Sequence, residues 1–513
     1  MPIHLLDFPP EILILILSHL YLPTLTACLA INRRVKSIID GSTLLQYRLA
    51  AQAACVEDNP LNTTTNSAHK LLALQRRQTA FAELVPTSVS SVPGLDDVAL
   101  DSDNITYAFS GPIFAVTERD TLMGLRWVSL AVTEPVFRRF EFAGYIQDFS
   151  LAIPEADLLV IVWSSEPLQN QTAASDVVVE LRFYEMSTQS AHRMACDHVI
   201  PVTIFGASLL SFLVDICGPN VFLLVDYYLD HSDTTHTRLL IYDWKLGCLL
   251  RSFDDYSTAA FLSPDVILLA QMVTGTFELW GVPEGTVTGP DISLELPVLA
   301  KPGRYEILTI DSTPKGYGSA SSQEPFYSSF ADSNVGFDVV FEFDDESEGD
   351  LLLVISRRAL LQLRSSTEER GKVLPWREWG PRIAQWPDMD HFGPDWPTKI
   401  HGQCCALIGP AGRMQLADFN PYSYRKLLGT ERDDSGQTTT RAGLTKAVVS
   451  LREKDRVIGT GLFGEEVRAN LGYLVIDSAL EAMDQYSGFF VGEKSIEPVT
   501  PGEKMSLDFW HFG

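Results

Sequence analysis

Apolar residues run almost unbroken near the start of the chain, from Ile12 to Leu17 and on to Leu20 and Leu22. Pro9, Pro10 and Glu11 stand before them. Proline is tolerated in a first helical turn, where its missing N–H would be unpaired anyway, and an acid there complements the helix dipole. The pattern predicts a short helix that is apolar on nearly every face and must be covered. Ser18 and His19 break it well short of the roughly 20 apolar residues of a membrane span. No Lys or Arg precedes Arg33, so a secretion signal's basic segment is missing. Leu22 to Ala30 predicts a second short helix, and Asn32 can cap a third over Arg33 to Asp40, ended by Gly41. Three such helices in about 40 residues leave most of their apolar area exposed. They suit either the core of an N-terminal domain or a partner's groove.

The helical period continues. Ser42 or Thr43 can cap a helix through Leu44, Leu45 and Leu49 to Cys55, and Asn59-Pro60 breaks it. Leu71, Leu74, Phe81 and Leu84 mark a further helix after Ser67, and Pro86 stops it. The Ser- and Val-rich stretch from Pro86 to Pro93 reads as a domain boundary.

After residue 95 short apolar runs replace the helical period, each introduced by a turn. Asp157 precedes Leu158 to Trp163, Gly218-Pro219-Asn220 precedes Val221 to Tyr227, Asp265 precedes Val266 to Ala270, and Gly349-Asp350 precedes Leu351 to Ile355. These predict buried strands. Second strands ending in an aromatic follow the first three, at Glu180 to Glu185, Arg238 to Trp244 and Thr276 to Gly281. Recurrence of turn, buried strand, loop, strand and turn is the signature of radial β repeats. Residues 95–513 divide into about seven units of roughly 60 residues, longer than compact blades of about 40–50, so loops are inserted. The expected fold is multidomain, with a small all-α N-terminal unit, a helical connector, and a large all-β domain. A β-propeller of about seven blades is the expected form of the last. Stacked β-sandwiches are the alternative.

The order F-P-P-E-I-L, I-L-S-H-L, L-P-T-L and I-N-R-R-V-K-S-I-I-D over residues 5 to 45 resembles an F-box. Leu45-Gln46-Tyr47-Arg48 and Val56 to Pro60 also resemble the connector of F-box proteins common in mushroom-forming fungi. Many F-boxes carry Trp in the third helix, where this chain has Val35. The resemblance implies an F-box at residues 1–45, a connector at 46–90 and an interaction domain at 95–513. It also implies docking on the Skp-type adaptor of a cullin–RING (SCF-type) ubiquitin ligase. Motif position implies Pro9, Ile12, Leu13, Ile16, Leu17, Leu20, Leu22 and Leu25 as adaptor contacts. The β domain would then bind an unidentified protein substrate, with no cofactor or metal and no catalysis of its own. A scaffold acting outside a ligase is the competing expectation, and a propeller enzyme the third.

Charge narrows the partners. Of 39 Lys/Arg and 66 Asp/Glu, residues 1–90 hold seven and six, which leaves 32 and 60, a charge of −28, for the rest. Such a body repels phosphate backbones, so nucleic acid is not an expected partner, nor is a membrane. It would favour basic partners, although solubility alone explains it. The seven cysteines have no C-x-x-C spacing, which suits reduced thiols in the cytosol or nucleus. Trp376, Trp379, Trp386 and Trp396, interleaved with prolines, suit a peptide-recognition surface or a core plug equally well. Gly459 to Gly464 matches G-x-G-x-x-G, but too little chain follows for a dinucleotide fold, so a hairpin turn is expected. His391, His401, Cys404 and Cys405 lack a zinc spacing.

Overall fold

The computed structural model describes residues 5–512 apart from 93–105, 119–122, 130–135, 169–175, 206, 230–234, 272–273, 283–288, 311, 317–323, 346, 368, 388–399, 409–413, 429–436, 440–447, 453–455, 459–460, 470, 478–487, 493–494 and 501–505. Helices occupy the N-terminal region, and a large all-β domain follows.

The helices begin where the sequence supplies a cap. Helix α1 (Pro10–Ser18) starts on two prolines, and α2 (Leu22–Ile31) carries Pro23 in its first turn. Helix α3 (Arg33–Gly41) is capped by Asn32, whose Oδ1 accepts the Arg34 N–H at 2.7 Å. Ser42 caps α4 (Thr43–Ala53), and Asn66 caps α5 (Ser67–Glu83). Leu17, Leu25, Ile39 and Leu45 close a small core where α1 to α4 meet, with Val35 and Leu49 packed against it. The Arg48 guanidinium donates to the carbonyls of Ser18 and Leu20 and so holds the end of α1 against α4.

Seven sheets of four or more strands follow in chain order among the described residues. The first spans Tyr107–Ser110 to Arg138–Glu141, the second Tyr145–Ala152 to Val199–Ile204, and the third Ala207–Cys217 to Cys248–Asp254. The fourth runs from Thr258–Ser263 to Ile292–Glu295 and gains Lys372–Leu374 as a parallel edge. The fifth contains Gly303–Ile310, Asn334–Phe343 and Glu348–Ser356, and the sixth is built around Cys404–Ile408, Met414–Asp418 and Tyr473–Asp477. The seventh joins Gly488–Val491, Ser495–Thr500 and Ser506–His511 to Ser88–Val92. The first strands of neighbouring sheets lie side by side. Tyr107–Ser110 meets Tyr145–Ala152, which meets Ala207–Cys217, which meets Thr258–Ser263.

Every buried strand read from the sequence is present, and the turns explain why. Gly218 adopts φ +58° before Asn220–Leu229, a conformation closed to most side chains. Asp157 adopts the same left-handed form before Leu158–Ser164, and its carboxylate accepts the Ser187 N–H at 3.1 Å. The strand-ending aromatics lock neighbouring turns: Trp244, fully buried, donates its indole N–H to the Gly218 carbonyl at 2.9 Å.

Ser88–Val92, ahead of the expected start at residue 95, pairs with Ser506–His511. The connector is bonded to the β domain along its length. Val56–Asp58 pairs with Phe326–Ser328, and Asn420 donates to the Ala53 carbonyl at 2.7 Å. Arg77 lies over the Phe326 ring at 4.8 Å, and Phe81 stacks on Phe512 at 4.7 Å.

Candidate functional site

The N-terminal helices divide their apolar residues between two faces. Leu13, Leu17 and Leu25 are buried, with Leu17 and Leu25 in the core that α1 to α4 share, and Leu20 and Leu22 are half-buried. Five of the residues expected at a partner are therefore wholly or partly used inside the module. The reason is geometric: a nine-residue helix apolar all round must turn one face toward its neighbours. Pro9, Ile12 and Ile16 remain on the surface. Phe8, Ile12, Leu15 and Ile16 are 38%, 41%, 56% and 37% exposed; the last three lie on α1, and Phe8 stands just before it. Leu5, Tyr21 and Ile31 add exposed apolar area on the same module, and Arg33, Arg34 and Lys36 on α3 are exposed cations. Phe8 and Leu15 were not among the expected contacts.

The tryptophans take the other expected place. Trp376, Trp379 and Trp386 are 2%, 1% and 1% exposed, so they are not a recognition surface. The helix Trp376–Ile383 sets Trp376 and Trp379 4.8 Å apart, edge to face, and Trp386 lies 5.7 Å from Trp376. Trp379 donates its indole N–H to the Glu295 carbonyl at 2.9 Å. Together they fill the space between the fourth and fifth sheets. Trp396 lies outside the described residues, as do His391, Asp388 and Asp390. The described part of the glycine-rich stretch, Gly461 to Gly464, is a turn between Arg456–Ile458 and Val467–Ala469. Its Phe463 packs on Trp386 at 5.8 Å, so its role is packing. His401 is hydrogen-bonded to Thr313 at 2.7 Å and Ser328 at 3.0 Å. Among the described residues no three His, Cys, Asp or Glu side chains gather as metal ligands would.

A cavity of about 200 Å³ lies where the first strands of the sheets converge. Its polar lining includes Asp148, Ser150, Asp215, Ser312, Lys315 and Arg357. Asp148 is buried, and its Oδ2 accepts the Val214 N–H from the next sheet at 2.7 Å. Burial pushes this carboxyl up to about 7, against the pull of the hydrogen bonds it accepts. The folded chain thus holds this proton more tightly than the unfolded one. The stability it contributes is complete below the ordinary carboxylate range near pH 4 and is lost as pH rises through about 7. Asp418 and Asp338, each pushed up to about 6 by burial, act in the same direction. Asp148→Asn keeps an oxygen for the Val214 N–H and removes the buried charge. The expected result is a higher melting temperature than the native chain at pH 8 and little difference at pH 5. An unchanged difference between the two pH values would exclude Asp148 as the titrating group.

No known family profile and no curated protein matches the sequence. Solved structures that it is similar to include the WD40 domain of SCAP from fission yeast, at 8% identity. That match covers 79% of this chain and 81% of the other, with a TM-score of 0.30. The acylaminoacyl peptidase of Pyrococcus horikoshii matches at 9% identity over 80% of this chain and 59% of its own, with a TM-score of 0.33. An oligogalacturonate lyase in complex with manganese matches at 9% identity over 78% of this chain and 98% of its own, with a TM-score of 0.32.

Proposed function

We propose that this chain is an F-box protein, the non-catalytic substrate-receptor subunit of an SCF-type cullin–RING ubiquitin ligase in the cytosol or nucleus. In this reading the seven sheets are the blades of a β-propeller, closed by Ser88–Val92 pairing with the last strands of the chain. The observation that carries the reading is the exposed apolar set Phe8, Ile12, Leu15 and Ile16, on and just before a helix whose motif order resembles an F-box. A set of large apolar side chains on a module with its own closed core marks a surface for a protein partner. Each such side chain fully buried at a partner contributes about 1.5–3 kcal/mol before the costs of association. The adaptor would seat on α1 and the first part of α2, and the β domain would carry the substrate.

Rigid attachment supports the same reading. The connector is hydrogen-bonded to the β domain at Val56–Asp58 and packed on it through Phe81, so a docked α1 holds the β domain at a fixed orientation. A receptor needs that stiffness to present a substrate to a distant transfer site.

Affinity capture of the intact chain beside a version lacking residues 1–41 tests this. The intact chain alone should retain the Skp-type adaptor and a cullin. Adaptor without cullin would favour a scaffold outside the ligase, and capture of neither protein would overturn the reading.

A further inference from the structure

The cavity is lined in part by a cation, Lys315, that no strand carries. Ser312–Thr313 pairs with Ile400–His401 of the sixth sheet, and the chain then runs through Pro314 to Gly316 toward the second and third sheets. The Lys315 N–H donates to Glu155 Oε1 at 3.2 Å, just beyond the first strand of the second sheet. The Lys315 ammonium stands 2.8 Å from Asp215 Oδ1 on the first strand of the third sheet. Gly316 lies so close to Gly218 that a Cβ there would sit 3.2 Å from the Gly218 nitrogen. This strap therefore reaches from one side of the cavity to the other, and its lysine pairs with Asp215 in a cavity that Asp148 also lines.

The second cation of the cavity is held differently. The Arg357 guanidinium donates to the Phe330 carbonyl at 3.1 Å and to the hydroxyls of Ser333 and Ser312, and lies 4.0 Å from the Phe330 ring centroid. Arg357 is thus fixed by its own wall, whereas Lys315 arrives on the strap Pro314 to Gly316. The Lys315–Asp215 pair is only 12% and 21% exposed, a setting in which an ammonium is matched to a carboxylate with little competition from water.

We propose that this cavity recognises the alkylammonium tip of a lysine side chain on a partner peptide, and that Lys315 occupies it in the resting chain as a tethered surrogate. The strap is then an internal competitor: the partner's lysine takes the place of Lys315 on Asp215, and the strap swings out. The charge of −28 beyond residue 90 draws basic peptides toward the β domain that contains the cavity. The inference is independent of adaptor docking, and its test contains no adaptor.

Lys315→Ala removes the surrogate and leaves its space. The full-length K315A chain should melt below the native chain, and n-butylammonium should restore at least half of the loss, because a ligand that binds only the folded state raises its stability. Equal concentrations of n-butanol should restore nothing, and neither compound should move the native chain or K315R. Adding Asp215→Asn to K315A should abolish the response. In calorimetry, K315A should bind acetyl-Gly-Lys-Gly-amide at least ten-fold more tightly than the same peptide with norleucine, and more tightly than the native chain does. If K315A does not fold unaided, its refolding yield with n-butylammonium against n-butanol reads the same contrast. Equal effects of the amine and the alcohol, or equal binding of the two peptides, would overturn the proposal.

Discussion

The double variant Ile12→Asp/Ile16→Asp should lose the Skp-type adaptor while keeping the helical content and melting behaviour of the native chain. Both side chains are exposed on α1, at 41% and 37%, so an aspartate at either position meets water in the free protein. In the complex each would place a carboxylate where an apolar side chain is expected to be buried. At about 2 kcal/mol or more for each site, the pair should weaken binding about a thousand-fold. Leu17→Asp is the instructive contrast. Leu17 is packed with Leu25, Ile39 and Leu45, so that variant buries an unpaired charge in the module's own core. It should lose the adaptor too, but together with helical signal in circular dichroism. Binding by I12D/I16D at native affinity would remove this exposed set as the docking face. Loss of helical signal in I12D/I16D would show that the two isoleucines support the module itself.

The contrast between Ile12 and Leu17 also shows where the sequence stops being informative. An apolar run predicts that α1 forms and that it is covered, and the caps of α3 and α4 and the stop of α5 were readable from Asn32, Ser42 and Pro86. A helix apolar on all sides carries no period, so nothing local distinguishes Leu13 and Leu17, turned inward, from Ile12, Leu15 and Ile16, turned outward. The strands were legible for the opposite reason. Val221 to Tyr227 combines β-branched and aromatic residues with a Gly-Pro-Asn turn whose glycine takes the left-handed form. The helix at Trp376–Ile383 was hidden by Pro381 inside it and by the density of tryptophan. Tryptophan signals burial against something, and whether that something is a partner or the fifth sheet depends on contacts distant in the chain. The cavity was invisible on the same ground. Asp148, Asp215, Lys315 and Arg357 come from four separate segments of the chain.

Truncation should separate the two halves of the N-terminal region sharply. A chain beginning at Ser42 loses α1 to α3 and should remain soluble, with cooperative unfolding of the β domain. It exposes Leu45, which those helices covered, but keeps Val56–Asp58 paired with Phe326–Ser328. A chain lacking residues 1–92 should aggregate or unfold. It removes the strand Ser88–Val92 and leaves Ser506–His511 as an unpaired edge, which is a template for association between chains. It also uncovers Phe512, Trp510, Leu474 and Ile476, the cluster into which Ala80 and Leu84 pack. Several large apolar side chains at about 1.5–3 kcal/mol each amount to most of the roughly 5–15 kcal/mol by which a folded domain is stable. Size-exclusion chromatography and thermal unfolding of the two fragments give the answer. If the shorter fragment were monomeric and unfolded at the full-length midpoint, α5 and Ser88–Val92 would be an appendage and α1 would hang on a flexible hinge. If it fails while the longer one folds, α5 and the pairing of both chain ends are part of the β domain itself. A partner seated on α1 then moves with the β domain as one body.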